Sequence, residues 1–430
     1  MKILIQNGTI VNSDSTINAA LLLDGDIISE IISDQTRLKQ AQSQADRVID
    51  ATNKLIFAGL IDMHVHFRDP GQEYKDDIFT GSAAAVAGGV TTAACMANTK
   101  PVNDNPLIAK YIIQKAKECA LIDLLPISAI TKASEGDKLV DMGKMLEAGC
   151  VAFSDDGLPV SNSEVMRGAL EYSAFFGSFI INHSQDCSLC CGGVMNEGQT
   201  SMKLGLKGMP REQEEIMIAR DILLAKLTRG HIHTAHISSA YSLKLVQRAK
   251  NDGINITCEV TPHHFCFDES ELNGYDTNYK MSPPLRTKED VQAMRDGLKN
   301  GIIDVIATDH APHSLDEKNQ EFDKAPFGIL GLQTLIPLTL GLVNDGVISL
   351  NDMARLCCLN PAKLLGLNDR GQIKAGKLAD IAIIDPHITY TYDARLNKSK
   401  SQNSPLFNKT LKGAAVLTIK RGKIVYEMPN

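Results

Sequence analysis

Several features typical of membrane, nucleic-acid-binding or secreted proteins are missing from this sequence. No apolar run is long enough to span a bilayer, and the apolar start of the chain is too short for a signal peptide. Lysine and arginine form no long run, and a formal net charge of −7 is mild for 430 residues. We therefore expect a soluble, cytoplasmic protein that binds neither nucleic acid nor membranes.

The sequence also lacks the cysteine framework of a small secreted domain. Its ten cysteines are scattered, so we expect them to be reduced and mostly buried. Cys187 and Cys190 form a single C-x-x-C pair, whereas a structural zinc site of this type needs a second pair. No internal repeat or low-complexity segment is present. These absences favour an ordinary globular protein.

What is present is enough hydrophobic sequence for one large and one smaller domain. Hydrophobic residues make up 43% of the chain. Residues 1–54 have strand-like patterns with a hairpin signal at Asp24-Gly25-Asp26, and strand patterns return in residues 368–430, with a second hairpin at Arg421-Gly422. We predict that these two segments form the halves of one small β-sandwich domain.

Between the two ends, in residues 55–367, apolar strands alternate with helical stretches. This alternation is typical of βαβ units around a parallel sheet. Eight strands are predicted at 55–64, 90–98, 124–130, 151–155, 179–183, 232–236, 255–261 and 304–309. Helices are predicted at 108–120, 164–176, 212–228, 242–251 and 288–299. The fold class is therefore predicted to be α/β, a (β/α)₈ TIM barrel with the small β-sandwich attached.

The end of the first predicted strand carries the first candidate metal ligands. His64 and His66 are two residues apart, so their side chains project to the same side of a strand. Neutral imidazole suits zinc and neighbouring metals. Taken alone, His-x-His is more often an ordinary pair of strand-end histidines. Arg68, which can pair bidentately with a carboxylate, favours instead a site that binds an anionic substrate beside a metal.

Polar residues also end most of the other predicted strands. In barrels of this kind the chemistry lies at the carboxyl ends of the strands, so these side chains are expected to converge. They provide enough ligands for two metal ions, with a carboxylate of the fourth strand, Asp155 or Asp156, as a bridge. The residues at the strand ends are His64, His66, Asn98, Asp155, Asp156, His183, His236 and Asp309.

Asp309 is the candidate catalytic residue. A carboxylate beside a metal can move a proton between an attacking water and a leaving nitrogen. Asp309 could also be a plain metal ligand, and the two roles are compatible because a carboxylate has two oxygens.

The remaining histidines are given other roles. His231 and His233 differ from His236 in strand parity, so we expect them to face the helices. His310 is expected to pack in the interior, and His313 is expected to touch substrate from the loop above the site.

Seven motifs together resemble the amidohydrolase superfamily and, more narrowly, the bacterial class I dihydroorotases. The resemblance covers essentially the whole chain, and its motifs follow the family order. They lie at residues 64–71 (HVHFRDPG), 96–101 (MANTKP), 153–157 (FSDDG), 192–198 (GGVMNEG), 259–264 (EVTPHH), 283–286 (PPLR) and 308–313 (TDHAPH).

The resemblance implies a set of ligands and substrate contacts. Zinc would be held by His64, His66 and Asp309 on one side and by His183 and His236 on the other, with two ions expected per chain and one possible. Asp156 would bridge the two sides, a choice over Asp155 that rests on its spacing to His183. The implied substrate contacts are His66, Arg68, Asn98, Ser282, His313, Phe327 and Gly328.

The activity implied by the resemblance is reversible, zinc-dependent cyclisation of N-carbamoyl-L-aspartate to (S)-dihydroorotate and water in de novo pyrimidine (UMP) synthesis. A homodimer is expected, and so is an association with aspartate transcarbamoylase in some settings. Three positions depart from the family pattern. Ala97 stands for the usual proline, Ser282 for asparagine, and Ser184-Gln185-Asp186 for Cys-Glu-Asp. Ser282 is expected to weaken a substrate contact or make it water-mediated.

Two alternatives remain open at the level of sequence. A hydantoinase or allantoinase would use the same barrel, but an uncharged ring has no need of Arg68. A non-catalytic barrel that organises a transcarbamoylase would not need a complete ligand set.

Overall fold

Short parallel strands lie at the centre of the protein, whose computed structural model describes residues 1–429. They form one sheet of order β10-β9-β8 and another of order β11-β14-β15-β16. A small parallel pair, β12 and β13, lies outside them. The strands are β8 (Leu60–Val65), β9 (Val90–Cys95), β10 (Asp123–Pro126), β11 (Phe179–Asn182), β12 (Met195–Asn196), β13 (Gly208–Met209), β14 (His231–Thr234), β15 (Ile256–Val260) and β16 (Val305–Ile306).

Isolated parallel bridges link the two central sheets at both edges. Val65 pairs with His310, and Phe153 pairs with both Ser128 and Ile180. The predicted fourth strand, 151–155, is thus reduced to the bridges of Phe153. The strand stops there because the Asp155 carboxylate accepts the backbone N–H groups of Ile130 and Thr131, on the neighbouring segment, that a longer ladder would use.

Helices follow the central strands along the chain, as the sequence pattern predicts. The five helices predicted from sequence are confirmed within two residues at each end as α3, α5, α8, α9 and α11. The helices of this part are α2 (Ile78–Ala87), α3 (Pro106–Cys119), α4 (Met142–Glu147), α5 (Ser163–Phe175), α6 (Cys187–Cys190), α7 (Gln199–Leu204), α8 (Glu212–Thr228), α9 (Ala240–Asn251), α10 (Pro262–Cys266), α11 (Lys288–Lys299), α12 (Leu315–Lys318), α13 (Leu335–Asn344), α14 (Leu350–Ala354) and α15 (Asn360–Leu364).

Both chain ends contribute to one six-stranded sheet, of order β19-β18-β17-β7-β2-β3. A four-stranded sheet, β5-β4-β1-β6, is built from the first fifty residues, which also contain α1 (Gln35–Gln44). The strands are β1 (Lys2–Gln6), β2 (Thr9–Val11), β3 (Thr16–Asn18), β4 (Ala20–Asp24), β5 (Ile27–Ile32), β6 (Arg47–Asp50), β7 (Leu55–Ala58), β17 (Ile381–Thr391), β18 (Thr410–Lys420) and β19 (Lys423–Glu427). Both predicted hairpins are confirmed.

The first predicted strand, 55–64, is wrong as a single element. β7 pairs with β2 and β17 in the six-stranded sheet, whereas β8 pairs with β9 in the centre. Gly59 separates them, and a Cβ there would lie 2.2 Å from Oγ1 of Thr91. The close approach requires glycine and lets the chain pass from one sheet to the other.

Two hydrophobic layers support the polar strand ends. The larger lies between sheets and helices and continues into the six-stranded sheet. The smaller lies among the central strands and contains Ile61, Met63, Phe179 and Ile181. Among residues 1–429 no helix combines the length and the hydrophobicity needed to cross a membrane.

Candidate active site

His64 and His66 emerge from the end of β8, each oriented by a hydrogen bond behind the ring. Nδ1 of His64 lies 2.5 Å from Oε1 of Glu259, and Nδ1 of His66 lies 2.8 Å from Oδ1 of Asn98. Both acceptors face Nδ1, so Nε2 of each ring is directed toward the centre of the site. The two rings are 5.3 Å apart and both are buried.

Asp309 follows β16 and faces these two histidines. Its Oδ1 lies 2.9 Å from Nε2 of His66 and 3.4 Å from Nε2 of His64. The backbone of Asp309 has a φ of 48°, in the left-handed region that a non-glycine residue adopts at a cost. Such strain is common where a side chain must be aimed at a functional centre.

Asp156 is the acid that reaches the centre of the cluster, as the resemblance implies. Its Oδ1 lies 3.6 Å from Nε2 of His64, 3.5 Å from Nδ1 of His183 and 3.6 Å from Nε2 of His236. Asp155 points elsewhere and accepts the backbone N–H groups of Ile130 and Thr131 at 2.7 and 3.2 Å. The geometry therefore favours Asp156 over Asp155 as the bridging carboxylate.

Buried atoms in this cluster fit a metal. Nε2 of His64 and Oδ1 of Asp156 are buried and, within residues 1–429, lack a hydrogen-bond partner. Leaving such atoms unsatisfied is costly, and a cation shared between them removes the cost. Two triplets bring ligand atoms within 4.8 Å of one another, His64 with Asp156 and His236, and His64 with His66 and Asp309. A donor set of imidazole and carboxylate is typical of zinc and its neighbours.

The electrostatics of the cluster also favour a cation. Burial acts to raise the pKa of both acids, but the facing histidines, His64 foremost, hold the pKa of Asp156 well below its usual range and lower that of Asp309 to about 2. Burial acts to lower the pKa of His64, but Glu259, Asp309 and Asp156 raise it well above its usual value. The cluster thus stabilises positive charge at its centre, whether carried by protons or by a metal.

Arg68 and His313 lie at the rim of a cavity of about 280 Å³ above the cluster. Nε of Arg68 donates to the carbonyl oxygen of Pro312 at 3.2 Å, and its Nη2 lies 3.4 Å from Nε2 of His313. The lining residues are His66, Arg68, Asn98, Asp156, Gly157, His183, Gln185, His236, Met281, Ser282, Asp309, Ala311, His313 and Phe327. All predicted site residues except His64 and Gly328 line this cavity.

Gly328 lies just behind the rim. Its N–H donates to the carbonyl oxygen of Lys280 at 3.0 Å, and a Cβ there would lie 2.7 Å from the carbonyl oxygen of Ala311 and from Cδ2 of His313. Its φ of 152° adds to the requirement for glycine. This tight packing brings Phe327 to the edge of the cavity.

The prediction that His231 and His233 face the helices is wrong. Nε2 of His233 lies 3.3 Å from Oε2 of Glu259, whose other oxygen contacts His64, so His233 lies on the same side of the strands as the site. His231 stacks on Phe179 of the inner hydrophobic layer. The prediction assumed that side chains alternate between the two faces of the strand as far as His236. That alternation is broken after β14, because His236 has a φ of 31°.

Sequence reasoning missed two residues of the site, Glu259 and Gln185. Oε1 of Gln185 lies 2.6 Å from Nε2 of His183, behind that ring as seen from the cluster. Glu259 opens the 259–264 motif, and Gln185 lies two residues after His183, so both could have been proposed as partners of the histidines. His310 is buried and packs edge-on against Phe67, as predicted.

Comparison with known proteins first defines the class. The family described as "Amidohydrolase family" matches residues 328–426, and "Dihydro-orotase-like" matches residues 53–242. L-hydantoinase (dihydropyrimidinase) from Arthrobacter aurescens has a TM-score of 0.90 at 26% identity, covering 100% of this chain and 96% of that one. Dihydropyrimidinase from Brevibacillus agri NCHU1002 has a TM-score of 0.85 at 25% identity, covering 99% and 95%. The fold and site are those of an amidohydrolase, a cyclic amide hydrolase, and membership of this family implies a metal cofactor, which the His and Asp groups of the site could hold.

The nearer sequence relatives then define the family. Dihydroorotases of Geobacter metallireducens and Geotalea daltonii are each 48% identical to this chain over 99% of its length and 100% of theirs. The dihydroorotase of Syntrophus aciditrophicus is 42% identical with the same coverage. The chain belongs to the dihydroorotase family, and the leading functional prediction from sequence is confirmed at this level.

Proposed function

We propose that the cavity above the histidine and aspartate cluster catalyses the reversible cyclisation of N-carbamoyl-L-aspartate to (S)-dihydroorotate and water. The observation that carries the proposal is the position of Arg68 beside buried, unpartnered ligand atoms. Both the open and the closed substrate carry a carboxylate that does not react, and a guanidinium at the rim is suited to bind it. An uncharged hydantoin ring offers no such partner.

The proposed metal ligands are those implied by the sequence. His64, His66 and Asp309 would hold one zinc ion and His183 and His236 a second, with Asp156 shared between them. One ion per chain is the alternative. Bound zinc would polarise the reacting carbonyl and lower the pKa of an attacking water.

Arg68, Asn98 and His313 are proposed to orient the substrate. Oδ1 of Asn98 is engaged by Nδ1 of His66, which leaves the amide N–H groups of Asn98 free to donate to a carboxylate. Phe327 and Ser282 line the cavity, and the backbone at Gly328 lies behind it. Fixing the ring in this way can supply several kcal/mol of the barrier reduction.

Asp309 is proposed to carry the proton. Its lowered pKa keeps it ionised at neutral pH, so it can accept a proton from the attacking water during ring opening and pass it to the leaving ring nitrogen. During ring closure Asp309 takes a proton from the carbamoyl nitrogen as that nitrogen attacks the carbon of the side-chain carboxylate. Asp309 then returns the proton to one carboxylate oxygen, whose C–O bond breaks, and that oxygen leaves as hydroxide, which takes up a solvent proton to become water. The burial of Asp309 excludes competing bulk water from this transfer.

The finer architecture is also a proposal. The bridges of Val65 with His310 and of Phe153 with Ser128 and Ile180 support closure of the central strands into a (β/α)₈ barrel. We propose the predicted division into 1–54, 55–367 and 368–430, except that 55–58 joins the terminal segments because β7 pairs with β17. The resemblance to class I dihydroorotases supports three further proposals, that the protein is cytoplasmic, that it is a homodimer and that it associates with aspartate transcarbamoylase.

The test is the ring-opening rate on L-dihydroorotate for the zinc-loaded protein, with hydantoin and allantoin as competing substrates. Asp309→Ala and Arg68→Ala are compared with Arg167→Ala, which alters an exposed arginine paired with Glu171 on the surface of α5. We expect turnover selective for dihydroorotate, loss of turnover in the first two variants, and wild-type turnover in the control.

A protein that binds zinc but ignores dihydroorotate while opening an uncharged ring would contradict the proposal. Retention of full activity by Asp309→Ala would contradict the role given to the carboxylate. A protein that binds no metal under any condition would favour the non-catalytic alternative.

A further inference from the structure

We propose that Gln185 is a positioning residue that fixes the tautomer of His183 and, because it is a neutral amide, makes the His183 side of the site the weaker metal position. The inference rests on the proposed function of the site. It assigns a role to a half-buried residue outside the predicted ligand set, and it bears on whether one or two ions are held.

The first step is the hydrogen bond behind His183. Oε1 of Gln185 lies 2.6 Å from Nε2 of His183, and the Ser282 hydroxyl donates to the same oxygen at 3.3 Å. An amide oxygen can only accept, so Nε2 of His183 must carry the proton. Nδ1 is then the nitrogen available to a metal, and it lies 2.8 Å from Nε2 of His236 and 3.5 Å from Oδ1 of Asp156, on the side of the proposed metal.

The second step is the orientation of the Gln185 amide, because exchanging its oxygen and nitrogen would turn an N–H donor toward His183. Nε2 of Gln185 lies 2.8 Å from Sγ of Cys190, and that sulfur also contacts Oε1 of Gln213. The backbone carbonyl oxygen of Asp186 can only accept and lies 3.1 Å from the same sulfur, so the Cys190 thiol donates away from Gln185 and the sulfur accepts from the Gln185 amide. The nitrogen therefore faces Cys190 and the oxygen faces His183.

The third step is a comparison of the two sides. His64 is supported by a carboxylate, Glu259, at 2.5 Å, and a carboxylate behind a ligating imidazole makes it a stronger donor. His183 has only the Gln185 amide, and Nδ1 of His236 is buried and, within residues 1–429, lacks a hydrogen-bond partner. His66, like His183, has only an amide behind it, that of Asn98. The two sides therefore differ in that the first has a carboxylate behind His64, whereas neither histidine of the second has one.

The experiment compares wild type with Gln185→Glu, Gln185→Met and the matched control Gln292→Met, which changes an exposed glutamine on α11. Zinc affinity is measured by chelator competition, and the protonation of the His183 ring by ¹⁵N chemical shifts, assigned with His183→Asn. We expect the wild type to hold one zinc ion at least tenfold more tightly than the second. Gln185→Met should weaken the second ion about 10- to 100-fold, Gln185→Glu should strengthen it, and the control should match wild type.

Two results would overturn the inference. One is that the wild type binds both zinc ions with equal affinity, or that Gln185→Met binds the second ion as tightly as the wild type does. The other is a His183 ring protonated at Nδ1 and bound to the metal through Nε2. If Gln185→Met does not fold, Gln185→Glu alone decides, since the proposal requires tighter second binding in that variant.

These readouts do not use dihydroorotate, so the two proposals fail separately. Wild-type protein with unequal zinc affinities but no ring opening would refute the proposed reaction and leave the role of Gln185 intact. Protein that opens dihydroorotate, but whose Gln185 variants bind zinc as the wild type does, would support the proposed reaction and refute the role of Gln185.

Discussion

Two neighbouring aspartates, Asp155 and Asp156, have different surroundings and so different expected roles. Asp156 faces four histidines, whereas Asp155 accepts the N–H groups of Ile130 and Thr131. We expect Asp156→Asn to lower zinc affinity at least tenfold, because the amide brings no negative charge to the cluster. The zinc content of the variant and of the wild type after dialysis against a chelator measures this loss of affinity.

Asp155→Asn is the matched control at the adjacent position. It should leave zinc content unchanged and lower the free energy of unfolding by about 1–3 kcal/mol, through weaker bonds to two buried backbone donors. If the two variants lost metal equally, the assignment of Asp156 as the bridging acid would fail.

At this scale the sequence predicted residues that end strands and missed those that support them. His64, His66, His183, His236 and Asp309 could be found because strand ends share one face of the fold. Glu259 and Gln185 could not, because a partner behind a ligand is defined by distance across the fold. The two-residue period of a strand shows which face a side chain occupies and carries no information about that distance.

At the scale of elements, two buried lysines hold the segment that leads to Phe327 and Gly328. Nζ of Lys318 donates to the carbonyl oxygens of Pro326 and Gly328 at 3.0 and 3.2 Å. Nζ of Lys280 donates to the carbonyl oxygens of Phe322 and Asp323 at 2.7 and 3.1 Å. Burial, and for Lys318 also the charge of Lys280, lowers the pKa of Lys318 to about 7 and that of Lys280 to about 8.

The lowered pKa of Lys318 predicts a pH dependence of stability. Between pH 7 and 10.5 an unfolded lysine keeps its proton while the folded Lys318 releases it, so the free energy of unfolding should rise with pH across this window. Urea denaturation of wild type and Lys318→Met at several pH values measures the difference. The variant should lack this part of the rise, and an identical pH profile in both proteins would contradict the prediction.

Helices were better predicted from sequence than strands. The periodic apolar faces of α3, α5 and α9 define them locally. The first and fourth strands depended on contacts that lie far apart in sequence, the approach of Gly59 to Thr91 and the capture of backbone donors by Asp155. Apolar runs alone do not contain this information.

At the scale of the whole molecule, one carboxylate joins the central strands to the terminal sheet. Oδ2 of Asp123, in β10, lies 2.7 Å from Nζ of Lys420, 2.5 Å from Nη1 of Arg370 and 3.3 Å from Nη2 of Arg421. Burial acts to raise the pKa of Asp123, but Lys420 and Arg370 lower it to about 2. Its stabilising effect is therefore fully present above pH 3.8 and is lost as pH falls through about 2.

We expect Asp123→Asn to lower the free energy of unfolding at pH 7 by about 2 kcal/mol, because it removes one of the carboxylates that face Lys420 and Arg370. Asp380 remains 2.7 Å from Lys420, and Asp369 remains 2.8 Å from Arg370. The loss should shrink in acid, as wild-type Asp123 takes up a proton. Glu171→Gln, at an exposed pair with Arg167, is the control and should change stability by less than about 1 kcal/mol. A larger loss in the control than in Asp123→Asn would contradict this account.

The shared terminal sheet was predicted in outline, since strand patterns recur at both chain ends. Which strand pairs with which was not, because a period of two fixes the faces of a strand and leaves its neighbours open. The pairing of β7 with β17 is set by the central part of the fold, which brings the two ends together.

That pairing has a consequence for synthesis on the ribosome. β1, β4, β5 and β6 can form their sheet as soon as the first fifty residues have emerged, but one edge of β7 stays uncovered until β17 is made. An open strand edge invites pairing with other chains. A chain arrested before residue 381 should therefore be cleaved faster near β7 than a full-length chain, which limited proteolysis of stalled ribosome complexes can measure. β17, which is translated late, thus covers one edge of β7, and a chain arrested before it is made is more susceptible to proteolysis near β7.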